Sequence, residues 1–171
     1  RPQLLEEQGQ TLSGTRFTYA LGQITLWSPD PNAIKGDGKS TLQRKNFKHI
    51  AMANPRTAPY GMAALQTIQK FKLWDEIRPL VVQGENIGQT FQFVASQNAE
   101  LGFVALSQVL DPKNNQRGSR WDVPGKFYDP LRQDIVMLKN AEENMGAKAL
   151  WKFLKGEKAQ QIIKKYGYRL P

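Results

Sequence analysis

Two stretches of this chain combine residue types and spacing that would trap an anion without using a charged side chain. In the first, Asn54-Pro55-Arg56-Thr57-Ala58-Pro59-Tyr60-Gly61-Met62 leaves a short apolar strand and turns directly into a helix. Pro59 has no amide proton to leave unpaired at the turn, Gly61 allows close backbone approach, and the free first-turn amides point at whatever lies ahead of them. In the second, Gly84-Glu85-Asn86-Ile87-Gly88-Gln89 repeats the arrangement, with Asn86 placed to cap a helix that opens at Ile87. Two such helix heads predict one shared anionic ligand, held by neutral donors and helix dipoles in a dry site.

Other chemistries find little support. The chain has no cysteine, which excludes disulfides, thiol nucleophiles and thiolate metal sites. Its single histidine, His49, precedes the apolar strand Ile50-Ala51-Met52-Ala53, where a structural or solvent-facing role is expected. The carboxylate pairs Glu6-Glu7, Asp75-Glu76 and Glu142-Glu143 lie on polar helix faces or in turns without a nucleophile or base beside them. No catalytic set emerges, so the expectation is a binding protein rather than an enzyme, with no cofactor. Ala33-Ile34-Lys35-Gly36-Asp37-Gly38-Lys39-Ser40-Thr41 satisfies a relaxed phosphate-loop pattern. However, Ser28-Pro29-Asp30-Pro31-Asn32 separates it from the preceding strand, and an exposed loop is expected instead. The net charge of +9 is scattered over residues 35–48 and 148–165 without a basic stripe interleaved with aromatics, which argues for solvated faces and against nucleic acid as a partner.

The elements that would position the two helix heads follow from the apolar runs. Residues 17–27 are aromatic and β-branched, too long for a typical single strand, and predict a segment crossing between two bodies. A short helix is expected near Ser40–Arg44, then strands at Ile50–Ala53 and Leu80–Val82. The helix after Pro59 carries Met62, Leu65, Ile68 and Phe71 as its apolar stripe, and a second helix runs from Ile87 to Gln97. The continuous apolar run Leu101–Leu106 reads as a strand of a buried parallel sheet, and Asp111 to Gly125 as a polar surface loop. Residues 128–138 supply a return crossing, followed by amphipathic helices around Ala147–Leu154 and Lys158–Tyr166. The fold class is α/β, and no run reaches the ~20 apolar residues of a membrane span.

Four segments in this order, Ala58-Pro59-Tyr60-Gly61, Glu85-Asn86-Ile87-Gly88-Gln89, Leu101-Gly102-Phe103-Val104-Ala105 and Lys164-Lys165-Tyr166-Gly167-Tyr168, resemble the periplasmic molybdate-binding proteins of ABC importers. The resemblance runs over essentially the whole chain. It implies a class II periplasmic-binding-protein fold with two crossing strands: residues 1–27 as a remnant of lobe one and the first crossing, 28–126 as lobe two, and 127–171 as the return crossing and terminal helices of lobe one. It implies molybdate or tungstate as ligand, an inner-membrane ABC permease as partner and a periplasmic location. By position, Tyr60 and Ile87 would contact the oxyanion through backbone amides, with Pro59, Gly61, Asn86, Gly88 and Ala105 lining the cleft. Some relatives place a tyrosine hydroxyl at Ala105, a contact this chain lacks.

Measured against that pattern, the amino-terminal part of lobe one is absent, and with it the Ser, Thr or Asn side chains expected to complete the site. Leu150, Phe153, Leu154, Ile162 and Ile163 are therefore expected to be exposed, and the chain to form oligomers, exchange segments or travel with the missing piece. A ligand-sensing lobe of a transcriptional regulator is the alternative reading, since it shares the two-lobe architecture and differs by a DNA-binding helix-turn-helix.

Overall fold

A computed structural model describes residues 1–114 and 118–171, and strands alternate with helices along it. In chain order the elements are α1 (Pro2–Glu7), β1 (Phe17–Gly22), β2 (Ile24–Ser28), α2 (Gly38–Arg44), β3 (Ile50–Ala53), α3 (Pro59–Lys70), α4 (Trp74–Ile77) and β4 (Val81–Gly84). There follow α5 (Ile87–Ala95), β5 (Leu101–Ala105), α6 (Leu106–Val109), β6 (Ser119–Asp122), β7 (Leu131–Ile135), α7 (Met145–Lys155) and α8 (Glu157–Lys165). The chain divides into two compact units, one formed by residues 1–22 with 132–171 and the other by residues 23–131.

The central unit is built on a five-stranded sheet in the order β4-β3-β5-β2-β6. β3 runs parallel to both β4 and β5, while β2 is antiparallel to β5 and β6. Successive side chains point to opposite faces, so the apolar runs feed two cores at once. One face sends Ile24, Leu26, Ile50, Met52, Leu101 and Phe103 into a cluster with Ala63, Ala64 and Ile68 of α3. The other sends Ala51, Trp27 and Val104 against Val94 of α5, with Phe91 stacked on Trp27 at 5.1 Å. Small residues on that second face matter, because a Cβ at Gly102 would lie 2.7 Å from the Ala51 carbonyl and 2.7 Å from Val94 Cγ2. Helices thus cover both sides of a mixed sheet, the α/β architecture that the strand-helix alternation predicts.

The terminal unit pairs β1 with β7 in a two-stranded sheet. Asp134 on β7 accepts from Thr18 Oγ1 at 2.7 Å and from Arg16 Nη1 at 3.1 Å, and Arg16 Nε also reaches Glu6 at 2.6 Å. Trp151 anchors α7: its indole N–H donates to the Thr15 carbonyl at 2.6 Å, its ring meets Phe17 edge to face, and the Lys155 ammonium lies 3.5 Å from its centroid.

Several expectations need correction. Residues 17–27 do pass from one unit to the other, but as two strands rather than one: the ladder breaks at Gln23, and β1 and β2 belong to different sheets. β2 is a central strand of the five-stranded sheet. The polar run from Asp111 to Gly125 contains β6, paired along one edge with β2, and residues 115–117 of that run lie outside the described residues. Of the stripe expected after Pro59, Ile68 and Phe71 are buried and Leu65 packs against the core, but Met62 is exposed and Ala63, Ala64 and Thr67 are buried beside them. Of the five apolar side chains expected on the surface, Leu150, Phe153 and Ile162 are exposed, Leu154 is half-buried and Ile163 is buried.

Candidate functional site

The parallel strands bring three helix starts to one edge of the central sheet. Ala53 at the end of β3 pairs in register with Gly84 at the end of β4, and the Asn54 amide extends the ladder to the Gly84 carbonyl at 2.7 Å. α3 and α5 begin a few residues beyond these ends, and α6 begins directly after β5. Helix heads gathered at the carboxyl ends of parallel strands form the recurrent ligand-binding edge of open α/β sheets.

The first head is built by the Asn-Pro turn. Asn54 is buried, its Oδ1 accepts from the Arg56 amide at 3.0 Å, and its carbonyl accepts from Ala58 at 2.9 Å. Ala58 is extended and caps the helix through its carbonyl, which takes the amides of Gly61 at 2.9 Å and Met62 at 3.1 Å. Pro59, with no amide proton and a preset φ, opens the helix, and half-buried Tyr60 follows it. Gly61 serves the packing of the helix on its own strand: a Cβ there would collide with the Ala53 carbonyl. Its close backbone approach is thus to β3.

The second head is capped more fully. Asn86 Oδ1 accepts from the Gln89 amide at 2.9 Å, and its carbonyl accepts from the Thr90 amide at 3.1 Å and the Thr90 hydroxyl at 2.9 Å. Gln89 returns the contact, its Oε1 accepting from the Glu85 amide at 2.7 Å. Thr90 is buried beneath Gly84, where a Cβ would sit 2.6 Å from its hydroxyl. With these amides committed, those of Ile87 and Gly88 donate to no atom among the described residues. They form the exposed donor end of the helix dipole.

Asn86 and Gly88 are exposed and Ile87 half-buried, whereas Gly61 and Ala105 are buried in the unit's own packing. Ala105 ends β5, and its amide donates to Oε1 of Gln108, whose Nε2 in turn donates to the Ile87 carbonyl. The sequence gives no sign of Gln108, Thr90 or Gly84 as supports of this edge. Among the described residues no group of three His, Asp or Glu could hold a metal ion. The edge can therefore offer an anion backbone amides and helix dipoles.

A cavity of about 480 Å³ lies at the opposite end of the sheet, lined by Ser28, Asp30, Arg44, Phe47 and Glu100 among others. Its principal charges are used by the chain itself. Arg44 donates to the Lys35 carbonyl at 3.1 Å, and Glu100 accepts the amides of Lys48 and exposed His49. Burial pushes the Glu100 carboxyl up, but the amides of His49, of Glu100 itself and of Lys48 outweigh it and hold the group below the usual carboxylate range. The phosphate-loop-like stretch is likewise occupied by its own acid: Asp37 caps α2 by accepting the Ser40 amide at 2.8 Å, and that hydrogen bond lowers its pKa.

Comparison with known proteins gives the chain's family. Residues 1–169 match the family of bacterial extracellular solute-binding proteins. The chain is 48% identical over 169 residues to the molybdate-binding protein ModA of Azotobacter vinelandii, covering 99% of this chain and 67% of that protein. With ModA of Rhodobacter capsulatus it shares 42% identity over 168 residues, covering 98% of this chain and 65% of the relative. Among solved structures, the Azotobacter vinelandii periplasmic molybdate-binding protein superposes with a TM-score of 0.90 at 38% identity, covering 99% of this chain and 74% of that one. PEB3 bound to L-phospholactate shares the fold alone, with a TM-score of 0.76 at 14% identity and coverage of 99% and 74%. The chain spans about two thirds of the length of the curated relatives it matches.

Proposed function

The chain belongs to the family of bacterial extracellular solute-binding proteins, and from that premise we propose that it is the substrate-binding component of a molybdate or tungstate ABC importer. The observation that carries this reading is the pair of helix heads at Tyr60 and Ile87, set beyond register-matched strand ends Ala53 and Gly84. The two curated relatives named above are molybdate-binding proteins.

In this reading the backbone amides of Tyr60 and Ile87 donate to oxygens of a tetrahedral oxyanion, while Pro59, Gly61, Asn86, Gly88 and Ala105 shape the surrounding edge. A doubly charged anion needs no lysine or arginine there, because oriented amides and two helix dipoles supply the field without a mobile counter-charge. Sulfate is selected against by size, and protonated phosphate by the lack of an acceptor for its proton. The receptor would work in the periplasm and hand its anion to a permease in the inner membrane. Exposed Leu150, Phe153 and Ile162 support a further reading, that this chain self-associates or exchanges segments.

Thermal melts with molybdate, tungstate, sulfate and phosphate test the ligand. A native-state ligand at a hundred times its dissociation constant adds about 2.7 kcal/mol. The expected result is a rise with molybdate and tungstate only; an equal rise with sulfate, or none with any anion, overturns the assignment for this chain.

A further inference from the structure

We propose that Gln108 is the positioning residue of the second anion-binding helix head, a role that rests on the functional reading above. The residue stands on α6, outside both helix heads, yet its side-chain amide joins two of the three elements that end at this edge. Oε1 accepts from the Ala105 amide at 3.0 Å, and Nε2 donates to the Ile87 carbonyl at 3.2 Å. One partner is a donor and the other an acceptor, so a single orientation of the carboxamide satisfies both, and no other uncharged side chain of that length offers the pair.

Each half of this bridge does a different job. The contact to Ala105 closes the first turn of α6 from its third position, the role a glutamine plays in a capping box. The contact to Ile87 serves the neighbouring helix. It holds the carbonyl of the Ile87–Gly88 peptide, whose N–H is the Gly88 donor, and so fixes the direction in which the head of α5 aims that amide. Asn114 supports the arrangement from behind, its Nδ2 donating to the Gln108 carbonyl at 3.3 Å. β5, α6 and the head of α5 are thereby locked to one another by one side chain, and geometry at a donor set that must match fixed oxygen positions is what second-layer hydrogen bonds control.

Gln108→Glu separates the two jobs, because a carboxylate still accepts from Ala105 but cannot donate to Ile87. Gln108→Met removes both contacts without adding charge. For Gln108→Glu the apo melting temperature stays close to that of the parent, exchange of the bonded Gln89 and Thr90 amides quickens without anion present, and molybdate affinity falls roughly tenfold, the worth of one such hydrogen bond. For Gln108→Met the affinity falls similarly and the melting temperature falls as well. Unchanged exchange at Gln89 and Thr90 in Gln108→Glu, unchanged affinity, or an affinity loss that merely tracks the melting temperature through both variants overturns the proposal. A parent chain that binds neither molybdate nor tungstate overturns the functional reading instead, and the exchange comparison then still decides whether Gln108 positions the head.

Discussion

The α-carbon of Gly61 faces the carbonyl of Ala53 so closely that no residue with a Cβ could occupy the position without moving α3 off the end of β3. Helix head and strand end are therefore a single rigid corner. Gly61→Ala is expected to cost about 1–3 kcal/mol, the range for overpacking a close-packed contact, and to weaken oxyanion binding by shifting the Tyr60 amide. Urea denaturation gives the first quantity and titration calorimetry with molybdate the second. A variant that keeps both parental values would show that the corner is not rigid.

Asn86 offers a way to part helix capping from anion recognition. Asn86→Ala removes the acceptor for the Gln89 amide and should lower stability by about 1 kcal/mol. Asn86→Asp keeps the same acceptor and is favourable at a helix start, so stability should hold. Its negative charge, next to the proposed contact at Ile87, should nevertheless depress molybdate affinity, and the deficit should shrink as salt is raised. Affinity equal to the parent at low salt would place the anion elsewhere than this helix head.

How much of this was readable depended on whether local chemistry matched the tertiary role. Asn86 before an apolar run and Pro59 at a helix start advertise their positions, because capping and proline geometry act within one turn. Gln108 does not, since its N-cap partner is Ala105, which has no side chain to complete the usual signature, and its second contact is to Ile87, remote in sequence. β6 hid inside a polar run because it is an edge strand with alternating half-buried and exposed residues, anchored by Trp121 packing near Phe71 and Phe127. The break between β1 and β2 was invisible for a different reason: both halves are equally apolar, and only their pairing partners, β7 for one and β5 with β6 for the other, separate them.

Leu150, Phe153 and Ile162 leave an apolar surface on α7 and α8 beside several lysines. Self-association of this chain is the expected consequence, visible as a concentration-dependent rise in sedimentation coefficient. Replacing the three by lysine should return the protein to a monomer, with little loss of fold because the anchoring Trp151 and buried Ile163 remain. A parent chain that stays monomeric at all concentrations would rule this out.

Glu100 provides an acid-sensitive contact in the central unit. Its carboxylate receives the amides of Lys48 at 3.3 Å and His49 at 2.9 Å, just ahead of β3, and those amides outweigh burial to hold its pKa below the ordinary 4.5. A carboxyl whose folded pKa is depressed adds stability that is complete above its unfolded value and disappears as pH falls through the folded value. Parent and Glu100→Gln should therefore differ by a constant amount from neutral pH down to about the ordinary value, and the two stability curves should converge below it. The contribution is modest, because the group is largely solvent-screened. Urea midpoints collected from pH 7 to pH 3 measure the gap directly; a gap that widens on acidification would reverse the sign and show that Glu100 is held in its protonated form.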